Sequence, residues 1–544
     1  MRATHEAGEP DSALRMNWRR QTRGDRVSIT AQTAAIRAGI DTDPAQGAIV
    51  PPLYLSSNFS FADFDAPRTY DYTRSGNPTR DVLGEALSAL EGGAGTTITA
   101  SGMAAASLCT AALLRPGDVL AVPHDCYGGS WRLFDTLSAR GHFQTLTVDW
   151  TDPRDVAAAL SRRPAVVWLE TPSNPLLRIT DIAEVAAQAH AAGAVVVVDN
   201  TFLSPALQQP IALGADIVIH STTKYLNGHS DVVGGAVVAA TAELHEQLSW
   251  FANVLGTTGS PFDAYLTLRG VRTLGARIRV HQHNTAALVE AIEGHAALSA
   301  LHYPGRVGHP GHEIAARQQS GFGAMLSIEL HGGRAAARDF VRGLRCFSLA
   351  ESLGGTESLI AHPATMTHAS MSEDARRRAG IGDGLLRLSV GIEDPADLIA
   401  DVHHGERHRH LGAGADEHDV RVTLGVAQDV SAVGDALRRG ALQDRDVLAG
   451  ERQADRMVPA GEQVLPGVRG LVGVGRPDDV EAGDGAQRGE VLDGLVGRAV
   501  LAQADRVVGP DVDDRQAHQR REAHRRAHVV GEGEEGRAED PGAA

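Results

Sequence analysis

The chain has almost no lysine. Among its 544 residues there is one, Lys224, against 50 arginines. Guanidinium stays protonated in proteins, so arginine cannot serve where a neutral amine must form. The position that kept lysine is therefore a candidate for amine chemistry, above all a Schiff base. On residue type alone, a chance survivor in an arginine-rich chain is the competing reading.

Other shortages narrow the class. The three cysteines, Cys109, Cys126 and Cys346, are few, odd in number and not at metal-site spacing. That argues against a disulfide framework and fits a reducing cytoplasm. No apolar run is long enough to cross a bilayer, and the N-terminal stretch has no apolar core of a signal peptide. Cationic surface is scarce as well: a net charge of −17 makes nucleic acid and anionic membrane surfaces unsuitable partners.

Aromatics are missing from one whole region. Residues 403–544 contain no Phe, Tyr, Trp, Ile, Asn, Cys or Lys, and all 23 aromatics precede them. Such a segment builds a poor core and is expected to be low-complexity and disordered. Phe, Tyr, Ile, Asn and Lys share AT-rich codons, so a frameshift or lost stop near Asp401–His403 is expected as its source. Its run HHGERHRH at 403–410 is of a composition that can bind metal but is a weak signal, and no metal site is expected. Residues 1–32 are expected to be a disordered extension, with Met16 as a candidate start.

Between these ends the pattern is α/β. Residues 33–80 are turn-rich and extended, and Gly76-Asn77-Pro78 reads as a turn or helix entry. This arm is expected to reach a neighbouring subunit. Residues 81–91 predict a helix with Val82, Leu83, Ala86, Leu87 and Leu90 on one face. TTITASGMAAASLCTAALL passes from a strand through Ser101-Gly102-Met103 into a helix, and His124–Ser130 opens another. AVVWLE, the helix DIAEVAAQAHAAG and AVVVVD form a strand–helix–strand unit. Asp181 is its expected cap, Ile182, Val185, Ala186 and Ala189 its buried stripe, and Gly193 its end. Both strands are apolar on both faces, which predicts a parallel sheet covered on both sides. Ligands gather at the carboxyl ends of such strands. Glu170, Asp199 and the Ser221–Lys224 turn lie there. The expected domains are a large one over 81–282 and a smaller α/β one over 283–402, with a long helix around 284–294 and strands at 324–330 and 385–391.

If Lys224 holds an aldehyde cofactor, pyridoxal phosphate sets three further demands. A buried carboxylate must keep its ring nitrogen protonated, and Asp199 is placed for that. Its phosphate needs a helix N-terminus and hydroxyls, which Ser101, Gly102 and Met103 with Ser221 and Thr223 can supply. Its ring needs a stacking face, for which Tyr127 is the candidate. Asp199 as a turn residue and Tyr127 as a packed ring are the plainer alternatives.

VIHSTTKYLNGHSDVVGGAVV resembles the lysine signature of the Cys/Met-metabolism pyridoxal-phosphate enzymes. YTRSGNPTR, SGMAA, HDCYGGS, ETPSNPL, VVDNTFLSPALQ, AESLGGTESL, MTHA and LRLSVGIED resemble that family in the same order, across about residues 33–402. The resemblance implies a fold-type I (aspartate aminotransferase-like) large domain with a mostly parallel sheet, a smaller C-terminal domain and a homotetramer of paired active-site dimers. It implies Lys224 as Schiff-base lysine and proton shuttle, Asp199 as ring-nitrogen partner and Tyr127 as stacking ring. Ser101, Gly102, Met103, Ser221 and Thr223 resemble the phosphate cup, and Tyr72 and Arg74 the phosphate ligands given by the neighbouring subunit. Asn174, Ser352 and Arg387 resemble the clamp on the substrate α-carboxylate. Glu351 resembles the glutamate near the second substrate's amino group, and Arg132 is placed to meet a succinyl carboxylate. Within the family the likeness is closest to its bacterial γ-replacement members, whose reaction joins cysteine to O-succinylhomoserine or the O-acetyl ester. Ser75 stands where some succinyl-ester members carry a second Arg. γ-Elimination is the sibling activity, and a cofactor-binding protein without turnover is the alternative of a different class.

Overall fold

The computed structural model describes residues 29–369 and 371–411. They fall in the first of the chain's two compact units, Met1–Ala427; the second, Gln428–Ala544, lies outside the described residues. The expectations for residues 1–28 and 412–544 lie outside them too.

Short apolar strands make the first sheet: β1 (Gly95–Thr99), β2 (Val119–Pro123), β3 (Gln144–Val148), β4 (Val166–Glu170), β5 (Val195–Asp199), β6 (Ile217–Ser221) and β7 (Gly235–Ala239). Their order is β1-β7-β6-β5-β4-β2-β3. β7 runs antiparallel to both neighbours and the remaining pairings are parallel. Period-two alternation divides the side chains between two cores. Trp168 and Val197 face one core, with Leu108 and Phe134 of the helices Gly102–Leu113 and Gly128–Ala139. Val167, Leu169, Val196 and Val198 face the other, with Ile182, Val185, Ala186 and Ala189. Each fully buried side chain of this size contributes about 1.5–3 kcal/mol. The sheet is thereby held between helix layers, and its strand ends are left to carry polar groups.

The helix Ile182–Ala192 begins and ends as its residues dictate. Asp181 accepts the N–H of Glu184 at 3.2 Å, and Gly193 closes it at φ 85°. The helix expected over 81–91 starts earlier, at Pro78, with Asn77 as its cap. The helix expected around 284–294 spans Leu274–Ile292, so it bridges the boundary drawn at 282/283.

The second sheet contains β8 (Leu298–His302), β9 (Met325–Leu330), β10 (Ser348–Leu349), β11 (Leu359–Ala361) and β12 (Leu385–Ser389), in the order β10-β11-β12-β9-β8. It packs on the helices Gly333–Gly343 and Pro395–Leu411 through Leu326, Ile328, Phe340, Leu388 and Leu398. That last helix carries His403–His410, beyond the boundary drawn at 402. β12 presents Arg387 toward the first sheet, where its side chain bonds Asn174.

Candidate active site

Four strands of the first sheet end together. β1 leads through Ser101 into the helix Gly102–Leu113, β4 ends on Glu170, β5 on Asp199 and β6 on Ser221. The register sets Glu170 beside Asp199 and Ser221 beside Gly235. Lys224 follows in the turn after β6.

Lys224 is largely buried, and its Nζ donates to Ser352 Oγ at 2.8 Å. Burial first, then the Arg387 charge, push its pKa down to about 8 from 10.5, while Glu351 acts the other way. A neutral amine is thus available near neutral pH. Arg387 is 3% exposed. Its Nη1 donates to Asn174 Oδ1 at 2.9 Å and its Nη2 to the Ser352 carbonyl at 3.0 Å. Ser352 sits at φ 113°, a left-handed backbone for a residue with a Cβ. Arg387 Nε is buried without a partner among the described residues. Asn174, Ser352, Arg387 and Lys224 therefore form one connected group.

At β1 the helix N-terminus lies against β6. A Cβ on Gly102 would stand 2.8 Å from Ser221 Cβ, so the close approach requires glycine there. Ser101 Oγ accepts the Ala104 N–H at 3.0 Å. The N–H groups of Gly102 and Met103 have no hydrogen-bond partner among the described residues, the state of a helix end able to bind an anion. The Thr223 hydroxyl is shared with Gly234, accepting its N–H at 3.0 Å and donating to its carbonyl at 3.3 Å. The Ser101 and Thr223 hydroxyls thus already serve the backbone, a use that residue type did not reveal, while the Ser101 O–H remains available as a donor.

Asp199 Oδ1 accepts the Thr201 N–H at 3.0 Å. Burial raises its carboxyl pKa, against that bond and the charge of His220. Behind it, Glu91 Oε1 accepts from Asn200 Nδ2 at 2.9 Å and pairs with His220 Nε2 at 2.6 Å. Tyr127 is 39% exposed, and its ring lies where a Cβ on Gly129 would meet Cε1 at 2.5 Å and Met103 Sδ at 3.0 Å. Burial raises its phenol pKa, followed by Glu351; Arg132 and Arg387 oppose the shift. Glu351 and Arg132 are exposed and act on this cluster through charge alone.

Tyr72 and Arg74 stand apart. Arg74 lies 5.8 Å from the Tyr72 ring centroid and donates to the Asn253 carbonyl at 2.6 Å. No described contact joins either to Lys224. In sequence Glu170 is a strand-end residue and no more, yet in the structure it accepts from both the Tyr127 and the Asn174 N–H. Its position was legible; the aim of its two oxygens was not.

A family model for Cys/Met metabolism PLP-dependent enzymes matches residues 32–405. The chain belongs to that family. Cystathionine gamma-synthase of Escherichia coli (strain K12) is 54% identical over 380 residues, 70% of this chain and 98% of the relative. The crystal structure of cystathionine gamma synthase from Xanthomonas oryzae pv. oryzae in complex with cystathionine is 64% identical, with a TM-score of 0.70. The match covers 71% of this chain and 99% of that one. Cystathionine gamma-lyase from Lactobacillus plantarum, complexed with L-serine, is 40% identical with a TM-score of 0.68, covering 70% and 100%. Pyridoxal phosphate is the family's cofactor, and the residues present fit it. They supply an amine of lowered pKa, a half-buried carboxyl at a strand end, free N–H groups on a helix N-terminus and a glycine cradle at Gly102.

Proposed function

We propose that the chain catalyses the cystathionine gamma-synthase reaction. O-Succinylhomoserine, or the O-acetyl ester, reacts with L-cysteine to give cystathionine and the free carboxylate of the ester. The observation that carries this reading is the Lys224–Ser352–Arg387–Asn174 group, which sets a deprotonatable amine beside a guanidinium clamp. The relatives of 54% and 64% identity support the choice of reaction.

Lys224 would hold the cofactor, Asp199 its ring nitrogen, and Gly102 and Met103 with Ser101, Ser221 and Thr223 its phosphate. Bound there, pyridoxal phosphate supplies an electron sink for charge developing at the substrate Cα. Arg387 binds the α-carboxylate as a fork, held by Asn174 and the Ser352 carbonyl. Lys224 Nζ takes the Cα proton, and Ser352 Oγ orients the amine for this. The ester carboxylate leaves Cγ, the cysteine thiolate adds there, and Lys224 returns a proton. Tyr127 stacks on the cofactor ring, Glu351 meets the amino group of the incoming cysteine, and Arg132 meets the distal succinyl carboxylate.

The arm exposes Ile49, Leu55 and Phe64 at 65, 66 and 90%. Apolar surface of that kind supports a homo-oligomer. In a homotetramer of active-site dimers the arm would bring Tyr72 and Arg74 to a neighbouring phosphate site. Among the described residues no helix is long and apolar enough to cross a membrane; a cytoplasmic location is part of the proposal.

γ-Elimination of cystathionine is the second reading, favoured by the 40% identical lyase. Purified protein is incubated with O-succinylhomoserine or O-acetylhomoserine plus cysteine, and separately with cystathionine. Cystathionine formation is expected to be faster than ketobutyrate release. The reverse order overturns the synthase reading.

A further inference from the structure

Glu170 ends β4, is 6% exposed, and has no role in the chemistry above. Both of its oxygens are committed to main-chain donors. Oε2 accepts the Tyr127 N–H at 2.8 Å and Oε1 the Asn174 N–H at 3.2 Å. The two donors belong to different loops, one following β2 and the other following β4. Tyr127 precedes the helix Gly128–Ala139 and has no side-chain cap bond there, so Glu170 satisfies a donor at a helix start. Beyond Asn174 the bonds continue to Arg387 on β12, then to Ser352 and Lys224. One carboxyl group therefore joins the exposed ring, the guanidinium fork of the second sheet and the reactive amine.

We propose that Glu170 is a positioning residue that fixes the spacing between the Tyr127 ring and the Asn174–Arg387 clamp, so that cofactor and substrate carboxylate are held in one geometry. The proposal rests on the roles given above to Tyr127 and Asn174. The residue type follows from the geometry. Two N–H donors facing two oxygens need a group that accepts on both sides, which a carboxyl does. Glutamine has the same length but one acceptor, and its NH2 would face an N–H. Aspartate is one methylene shorter and reaches one loop at a time. The cost of placing a carboxyl here is visible: burial, then the charge of its strand neighbour Asp199, push its pKa well above the usual carboxylate range, against the two N–H bonds. Misplacement of a binding group by about 1 Å costs on the order of a hundredfold in rate, so a single clamp of two loops is enough to matter.

The test uses the holoenzyme of Glu170→Gln, with Glu170→Asp as the variant that keeps the carboxyl group. Three quantities are measured: KM and kcat for the O-acylhomoserine, the visible absorbance of the bound cofactor, and Tm. Glu170→Gln is expected to raise KM about tenfold or more and to move the cofactor band, with Glu170→Asp between it and the parent. In a double-mutant cycle with Asn174→Ala the losses are expected to be non-additive, because both changes cut the same path. A purely structural bond would lower Tm and leave KM and the band unchanged in the folded protein; that result overturns the proposal. Tyr127→Ala and Asn174→Ala are measured alongside. Losses in those two with a parental Glu170→Gln sink only the role of Glu170. Parental behaviour in all three sinks the reading of the site itself.

Discussion

The lowered pKa of Lys224 makes a quantitative prediction. An ordinary lysine at 10.5 is neutral in about one molecule in 3,000 at pH 7, whereas an amine at about 8 is neutral in about one in ten. The structure therefore gives Lys224 roughly 300 times more reactive amine. The assay is the rate at which protein stripped of cofactor recaptures pyridoxal phosphate as pH is raised. The rate is expected to climb with the neutral fraction and level off above about pH 8. The two neighbouring charges give the sign of each variant. Arg387→Met removes a positive neighbour, so the plateau moves to higher pH; Glu351→Gln removes the opposing charge, so it moves lower. Stability carries the same signature. Between about pH 8 and 10.5 the folded chain holds fewer protons on this amine than the unfolded chain, so the stripped protein gains stability as pH rises through that window. Below it, the buried ammonium costs about 3 kcal/mol, and Lys224→Met should be more stable than the parent at pH 7 in urea. A recapture rate still rising steeply above pH 10, unmoved by Arg387→Met, would refute the reasoning.

Two further predictions follow from local geometry. Ser352→Gly relieves a φ of 113°, worth about 1–2 kcal/mol, and removes the partner of Lys224 Nζ, so Tm should rise while kcat falls; Ser352→Ala should lose kcat without the gain in Tm. Gly129→Ala places a Cβ 2.5 Å from Tyr127 Cε1, so the ring must shift by about 1 Å; kcat/KM should fall about tenfold to a hundredfold, with little change in Tm.

Much of the sheet was legible because its residues repeat one message. Runs such as AVVWLE and AVVVVD are apolar on both faces, and both are buried strands that end on carboxylates. β7 reads the same way in sequence, but nothing in GGAVVA reveals that it runs antiparallel. The start of the helix Leu274–Ile292 was hidden because Arg277 and His281, polar by type, are buried there. Arg277 Nη2 donates to the Gly270 carbonyl at 2.9 Å, and His281 Nδ1 lies 2.7 Å from the Val390 carbonyl. In the site, Lys224 stood out by scarcity and Arg387 by resemblance. Glu170 and the left-handed Ser352 did not, since the direction of a carboxylate and the sign of φ arise only when separate loops close on each other.

The central claim is that Lys224 carries the cofactor and moves the proton. Borohydride reduction of the holoenzyme followed by peptide mass mapping tests it directly. The account predicts a reduced pyridoxyl adduct on the peptide containing Lys224, and a Lys224→Ala protein without adduct, visible cofactor band or turnover. A Lys224→Ala protein that keeps the band and turns over substrate at the parental rate would contradict it.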